Sequence, residues 1–597
     1  MGELLLDINN RVKRLRELMK AKRITAYIVP TSDPHQSEYL ADYYKGRAWI
    51  SGFTGSAGTV VITQDDANLW TDGRYFIQAE NQLQGSEYKL FKMGVPGVPN
   101  YIEWLKDNLE AGASIGFDGK VFSQSDVERL EEEFEGKDVE FEDEYDLIGE
   151  IWEDRPGLPQ GEAFIHELKY TGITTREKIA GLRSYMEDEG LDYYLIASLD
   201  DIAWLYNIRG RDIECNPVII SYALISMEKA YLFVDQTKIN KTVEKFLNEN
   251  EVLVHPYEGI VDYLKEIESG SIVGLEKARI NRWIYKAIPD GCGIIDETNY
   301  TTILKARKNE TEIKNQRNAY IKDGVALTKF LYWLDTNIGK IEITELSAAE
   351  KLLDFRKEQE LFIEPSFDTI SAYGPNAAMA HYKATEDSYA VLEEKGIYLV
   401  DSGGQYLDGT TDITRTIALG SLTEEEKRDY TLTLKGHIKL ISAKFLEGTT
   451  GYQLDILCRY PLWKEGIDFK HGTGHGIGYF LNVHEGPHRI ASVPNDVDLE
   501  KGMVVSIEPG VYKAGKHGIR IENIVVVDED RETEFGQFMR FEVLSYVPID
   551  LEAIDVDLLT VDEKEWLNNY HKAVCDKLLP YLNEEEKMWL KEKTRSI

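Results

Sequence analysis

Residues 397–417 read IYLVDSGGQYLDGTTDITRTI: an apolar run ending in an acid, a turn, and a second strand-like run opened by an acid. Ile397-Tyr398-Leu399-Val400 leads into Asp401, Asp408-Gly409 supplies the turn, and Asp412 precedes Ile413-Thr414-Arg415-Thr416-Ile417. This spacing predicts a hairpin with the two carboxylates facing each other. The pattern recurs downstream. Met503 to Ile507 leads into Glu508, Lys513-Ala514-Gly515-Lys516 turns the chain, and Ile519 to Val527 forms a return strand that carries Glu522. Between the two hairpins His475 stands among Gly472, Gly474, Gly476 and Gly478, where missing side chains let backbone come close to a bound group.

Any one of these acids, taken alone, reads more simply as a turn or hairpin residue. Taken as a set, Asp401, Asp412, His475, Glu508 and Glu522 form a donor set for two divalent ions and the water between them. Carboxylate-rich ligation with one imidazole and no thiolate favours hard or borderline ions, so Mn2+ is expected first, with Zn2+ or Co2+ as alternatives. Two such ions would acidify a bridging water and polarise a carbonyl, which makes the reaction class metal-assisted hydrolysis.

Further motifs extend the pattern: Asp33-Pro34-His35-Gln36-Ser37-Glu38-Tyr39, Ser51-Gly52-Phe53, Gly55-Ser56-Ala57-Gly58-Thr59, Trp70-Thr71-Asp72-Gly73-Arg74-Tyr75, Asn216-Pro217-Val218 and Val483-His484-Glu485-Gly486-Pro487. With these the chain resembles, over nearly its whole length, the aminopeptidase P group of the creatinase/methionine-aminopeptidase superfamily, in its long, three-domain, cytosolic form. The resemblance implies an α/β (α+β) protein with two creatinase-like N-terminal α/β domains and a pita-bread catalytic domain. It further implies that Asp401 binds one ion, His475 and Glu508 the other, and that Asp412 and Glu522 bridge both. His381, His471 and His484 would bind substrate and handle protons, with His484 foremost for the substrate carbonyl. Attack on a carbonyl makes an oxyanion and a departing nitrogen that needs a proton, and a histidine near neutral pKa serves both. Arg520 lies two residues before Glu522, on the same strand face, and is expected to orient a ligating carboxylate by a charge-assisted hydrogen bond.

The implied activity is removal of an N-terminal residue from short peptides with proline second, a bond that lacks the N–H donor of other peptides. A metal-dependent dipeptidase restricted to Xaa-Pro (prolidase) could use the same five ligands, and a non-catalytic pita-bread peptide-binding module is a third reading. Phe367, Tyr373 and Tyr382 are aromatic candidates for a proline surface, although core packing explains them as readily. The resemblance also implies a homodimer, for which Trp463, beside Lys464 and Glu465, is a candidate anchor.

At 597 residues the chain exceeds what one core serves, and 43% hydrophobic residues is ordinary for a globular protein. Lys plus Arg number 68 against 105 Asp plus Glu, and the resulting net charge of −37 opposes binding to nucleic acid or an anionic membrane. The first residues mix Leu4-Leu5-Leu6 with Arg11, Lys13, Arg14, Arg16, Lys20, Lys22 and Arg23, without the apolar block of a secretory signal. Cys215, Cys292, Cys458 and Cys575 form no CxxC pair, so a cytoplasmic location is expected. Residues 11–33 and 176–200 both read as amphipathic helix, turn and buried strand, a repeat that predicts two similar α/β domains. Asp154-Arg155-Pro156-Gly157-Leu158-Pro159 marks a linker. The expected division is 1–158, 159–305, a catalytic domain 306–550, and a helical extension 551–597 packed on it. Helices are expected at 311–335, 343–358, 423–445 with a Thr423/Glu426 capping box, 561–579 and 583–593.

Overall fold

The computed structural model describes residues 2–597, with side chains from Asp7 onward; the Leu4-Leu5-Leu6 side chains lie outside the described residues. The chain divides into two compact units, residues 1–166 with 173–301, and residues 167–172 with 302–597.

In the first unit the two helix-turn-strand copies open two sheets of the same design. Helix Gly2–Lys22 feeds strand Ala26–Pro30, and helix Thr175–Glu189, closed by a Thr174/Glu177 capping box, feeds strand Tyr193–Ile196. Each of these strands is the fourth in a six-stranded mixed sheet, antiparallel to one neighbour and parallel to the other. The sheets bury separate apolar clusters, Ala26, Ile28 and Ile115 in the first and Leu195, Leu224 and Val273 in the second.

The second unit is built on a three-stranded sheet, Ile370–Tyr373, Ile397–Ser402 and Ile413–Ala418, and a six-stranded sheet that includes Gly474–Gly476, Val504–Ile507 and Asn523–Thr533. Helices Glu310–Asn337, Glu345–Lys357, Glu424–Ile441 and Val561–Leu578 each start at a capping box, with Asn309, Thr344, Thr423 and Thr560 as the caps. Each cap satisfies N–H groups that the first helical turn leaves orphaned. One expected helix is shorter than its apolar periodicity suggests. It ends at Ile441, and Lys444–Leu446 leaves it to pair with Gly536–Val543 at the sheet edge, burying Phe445 against Phe541. The expected return strand 519–527 is likewise two strands, His517–Arg520 and Asn523–Thr533, interrupted at Ile521 and Glu522. That interruption lets the chain leave a pairing with Gly510–Lys513 for one with Val504–Ile507. Among the described residues, no helix is long and apolar enough to cross a membrane.

Candidate metal centre

Strand register brings the acids together. Ile397–Ser402 pairs with Ile413–Ala418 so that Asp401 stands opposite Thr414, two residues beyond Asp412. Val504–Ile507 pairs with Asn523–Thr533 so that Ile507 faces Asn523, and Glu508 and Glu522 follow at the end of that ladder. His475 sits at a bulge between the pairs His475–Arg489 and Gly476–Glu485. Its glycine neighbours are required by close backbone approach: a Cβ on Gly474 would lie 1.9 Å from Ser506 O, and one on Gly476 2.3 Å from Glu485 O.

Donor atoms of Asp412, His475 and Glu522 lie within 4.8 Å of one another. His475 Nε2 is 3.5 Å from Asp412 Oδ2 and 3.5 Å from Glu508 Oε1, while Nδ1 is 2.9 Å from Gly476 O. Donation of the Nδ1 proton to that carbonyl leaves the Nε2 lone pair directed at the carboxylates, the tautomer a ligand requires. Asp401, Asp412 and Glu522 are buried and Glu508 is half-buried. Asp401 accepts a 2.6 Å hydrogen bond from Arg520 on Oδ2, but its Oδ1 is buried without a hydrogen-bond partner. Thr414 Oγ1 donates to Glu522 Oε2 at 2.8 Å.

Four carboxylates thus share the positive charge of Arg520. Burial, then the Asp401 charge, pushes Asp412 well above the usual carboxylate range; burial, then Asp412, does the same to Glu522; burial, then Glu522, to Glu508. Two like charges at such spacing repel by about 3 kcal/mol even at an effective dielectric near 20. A donor set that is oxygen-rich, short of positive charge and carrying an unpartnered carboxylate oxygen fits hard divalent cations.

The other expected residues surround this cluster unevenly. His484 packs its ring edge-on against His475, with centroids 4.3 Å apart. His471 is held at both nitrogens, Nδ1 at 2.7 Å from Gly472 O and Nε2 at 2.8 Å from Tyr512 OH. His381 is half-buried, just beyond the turn Gly374–Ala378. Arg520 reaches across to Asp401 rather than to its strand neighbour Glu522, and donates also to Tyr512 OH at 2.7 Å. Of the aromatic candidates, Tyr382 is buried with its hydroxyl on Glu345 and Tyr373 donates to Lys395 O, so both hydroxyls are engaged in packing contacts. Sequence reasoning passed over Thr414 and Tyr512, although both lie inside or beside the quoted motifs. It also passed over Lys305 and Lys308, whose partner Glu485 is far away in the chain.

Comparison with known proteins follows the same layout. Residues 11–150 and 154–312 each match a Creatinase/Prolidase N-terminal domain, 314–529 match Metallopeptidase family M24, and 537–597 match the C-terminal region of peptidase M24. A solved X-prolyl aminopeptidase from Caenorhabditis elegans, described as a cytosolic enzyme with a di-nuclear active site, is 36% identical and covers 99% of this chain and 100% of its own, with a TM-score of 0.95. A Xaa-Pro dipeptidase from Bacillus anthracis, 27% identical, covers 99% of its own chain but 63% of this one, with a TM-score of 0.51. The probable Xaa-Pro aminopeptidase P of Laccaria bicolor is 42% identical over 604 residues, covering 98% of this chain and 93% of the relative. With creatinase-like domains ahead of a pita-bread catalytic domain, and with identity at this level running end to end, the chain belongs to the Xaa-Pro aminopeptidase P family of the M24 metallopeptidases.

Proposed function

We propose that this chain hydrolyses the bond between the first residue and a following proline in short peptides, with two divalent ions held by the carboxylate cluster. Asp401, Asp412, His475, Glu508 and Glu522 would hold the ions. The observation that carries this reading is the convergence of Asp412, His475 and Glu522 donor atoms inside a buried acidic cluster, in a chain of a metallopeptidase family. When bound, the ions supply Lewis-acid polarisation of the substrate carbonyl and a water acidic enough to attack near neutral pH. Mn2+ suits the oxygen-rich donor set best.

The chain's own residues do the rest. His484, beside His475, hydrogen-bonds the substrate carbonyl and the oxyanion that forms from it, and His381 and His471 bind substrate and move the proton to the leaving nitrogen. Arg520 fixes Asp401. The buried acids anchor the peptide's α-ammonium, which sets the register of the scissile bond. Residues 1–158 and 159–305 are two creatinase-like domains, 306–550 the catalytic domain, and 551–597 its helical extension. The enzyme works in the cytoplasm as a homodimer.

Metal analysis of the purified protein, with turnover of Arg-Pro-Pro and of its N-acetylated form, tests the proposal. Release of arginine from the free peptide only is expected. Equal cleavage of both forms defeats the aminopeptidase reading, and cleavage confined to Xaa-Pro dipeptides replaces it with a prolidase.

A further inference from the structure

Tyr570, on helix Val561–Leu578, is buried, stacks on Trp566 at 5.3 Å between centroids, and places its hydroxyl 2.8 Å from Arg415 Nη2 and 2.8 Å from Val547 O. Arg415 is one of the largest fully buried side chains, and among the described residues no carboxylate accepts from it. Its guanidinium instead donates to Glu522 O at 2.5 Å, to Asn523 Oδ1 at 2.8 Å and to Pro548 O at 3.1 Å. Asn523 passes the link on: its Nδ2 donates to His437 Nε2 at 3.2 Å, and His437 Nδ1 donates to Ile507 O at 3.1 Å.

Ile507 and Asn523 face each other across the ladder, directly before Glu508 and directly after Glu522. A continuous buried network therefore runs from the extension to the backbone on which both glutamates hang. Every group in it is neutral except Arg415, so its geometry is set by hydrogen-bond direction, and a planar fork with several simultaneous acceptors has few alternative poses.

The geometry points to Tyr570 as a positioning residue: through Arg415 and Asn523, the C-terminal extension fixes the backbone of Glu522 and Glu508 and so tunes the affinity of the carboxylate cluster for divalent ions. This inference rests on the ligand assignment proposed above. Partners behind the ligands of a metal commonly carry ten- to a hundredfold in affinity. Loss of a single hydroxyl two contacts away belongs at the lower end of that range.

The test titrates Mn2+ calorimetrically into the metal-depleted full-length chain and two variants, Tyr570→Phe and Leu567→Ala. Phenylalanine keeps the stack on Trp566 and deletes the hydroxyl, whereas Leu567, fully buried on the same helix, takes no part in the network. Tyr570→Phe is expected to raise the Kd for Mn2+ about tenfold, and Leu567→Ala to lower Tm with Kd unchanged. A wild-type Kd in Tyr570→Phe overturns the inference, as does an equal rise in Kd in both variants, which would reduce the extension to packing. If Tyr570→Phe fails to fold, Arg415→Lys takes its place; it keeps the charge but loses the fork, and a wild-type Kd there is equally fatal. Wild-type protein that takes up no Mn2+ overturns the ligand assignment itself.

Discussion

Glu485 and Glu522 flank the same six-stranded sheet, both are buried, and their proton affinities move in opposite directions. Burial opposes ionisation of each. At Glu485 the buried Lys305 and Lys308 outweigh it and hold the carboxyl below its usual range; Lys305 Nζ lies 2.9 Å from one oxygen and Lys308 bonds the other. At Glu522, Asp412 and Asp401 add to the effect of burial and push the carboxyl well above its usual range. The difference separates a charge that completes the fold from a charge that waits for a ligand. A buried acid with two cationic neighbours is part of the architecture, whereas a buried acid surrounded by other acids stores unfavourable energy that a bound cation releases.

The sharpest break of this comparison lies in function. Asp412→Ala or Glu522→Ala is expected to remove bound metal and reduce Xaa-Pro-Xaa turnover to background, because each is assigned to contact both ions. His484→Ala is expected to keep the metal and lose about a hundredfold in kcat, the usual cost of one oxyanion donor. Elemental analysis beside steady-state kinetics separates the two classes. Wild-type rates in a folded Asp412→Ala protein would end the dinuclear assignment.

Stability should respond with opposite signs at Glu485 and in the acidic cluster around Glu522. Glu485→Gln removes the carboxylate that both buried ammonium groups bond and is expected to cost about 3–5 kcal/mol, read as a fall in Tm. Asp412→Asn in the metal-depleted protein removes a like charge and is expected to raise stability, read as a rise in Tm. A fall in Tm for both would mean that the cluster is an ordinary hydrogen-bonded core.

How far this division could be read in advance follows from chain distance. Asp401, Asp412, Glu508 and Glu522 each stand beside their own strand and turn signals, so the hairpins that pair them were legible. The alternation of the two sheets in the first unit was legible for the same reason, since helix, turn and strand are contiguous. Glu485 gave no such sign, because Lys305 is 180 residues away and only the folded chain brings them together. Tyr570 and Arg415, 155 residues apart, are hidden in the same way. Phe445 misled by its periodicity: an apolar residue in phase with a helix serves equally as the buried residue of an edge strand, and the sheet's unpaired neighbour decided between them.

A pH titration sharpens the contrast further. Asp412, Glu508 and Glu522 have folded pKa values above their unfolded ones, so in the metal-depleted protein their contribution is present below the ordinary carboxylate range and is lost as pH rises through the raised values. Glu485 has the reverse sign: its contribution is present above the unfolded value and is lost as pH falls through the lowered one. The metal-depleted chain should therefore lose Tm as pH rises from the ordinary carboxylate range through the raised values. Divalent ions should abolish that loss, and calorimetry at matched ionic strength measures both. A flat alkaline limb without metal would show that the cluster is not charge-frustrated.

The smallest effect on catalysis is expected where the surface, rather than the core, stands unpartnered. Helix Gly451–Trp463 exposes Tyr452 (45%), Ile456 (42%), Tyr460 (53%) and Trp463 (48%) along one side, at a spacing that makes a continuous apolar stripe. Its inner side holds the histidine loop, with buried Arg459 donating to His471 O at 2.9 Å and Thr473 Oγ1 donating to Asp455 Oδ1 at 2.6 Å. The two sides repeat in miniature the contrast between Glu485 and Glu522, one satisfied within the chain and one exposed. Trp463→Glu places a charge at the end of this stripe, the proposed dimer contact, where its burial without a counter-ion is prohibitive. The variant is expected to scatter light as a folded monomer where the wild type is expected to be a dimer, with the inner contacts intact and turnover within about threefold, since the proposed ligands all come from one chain. Wild-type protein that is monomeric across micromolar concentrations would remove the dimer; a Trp463→Glu chain that unfolds would assign the ring to its own unit through the bond from Nε1 to Asp468.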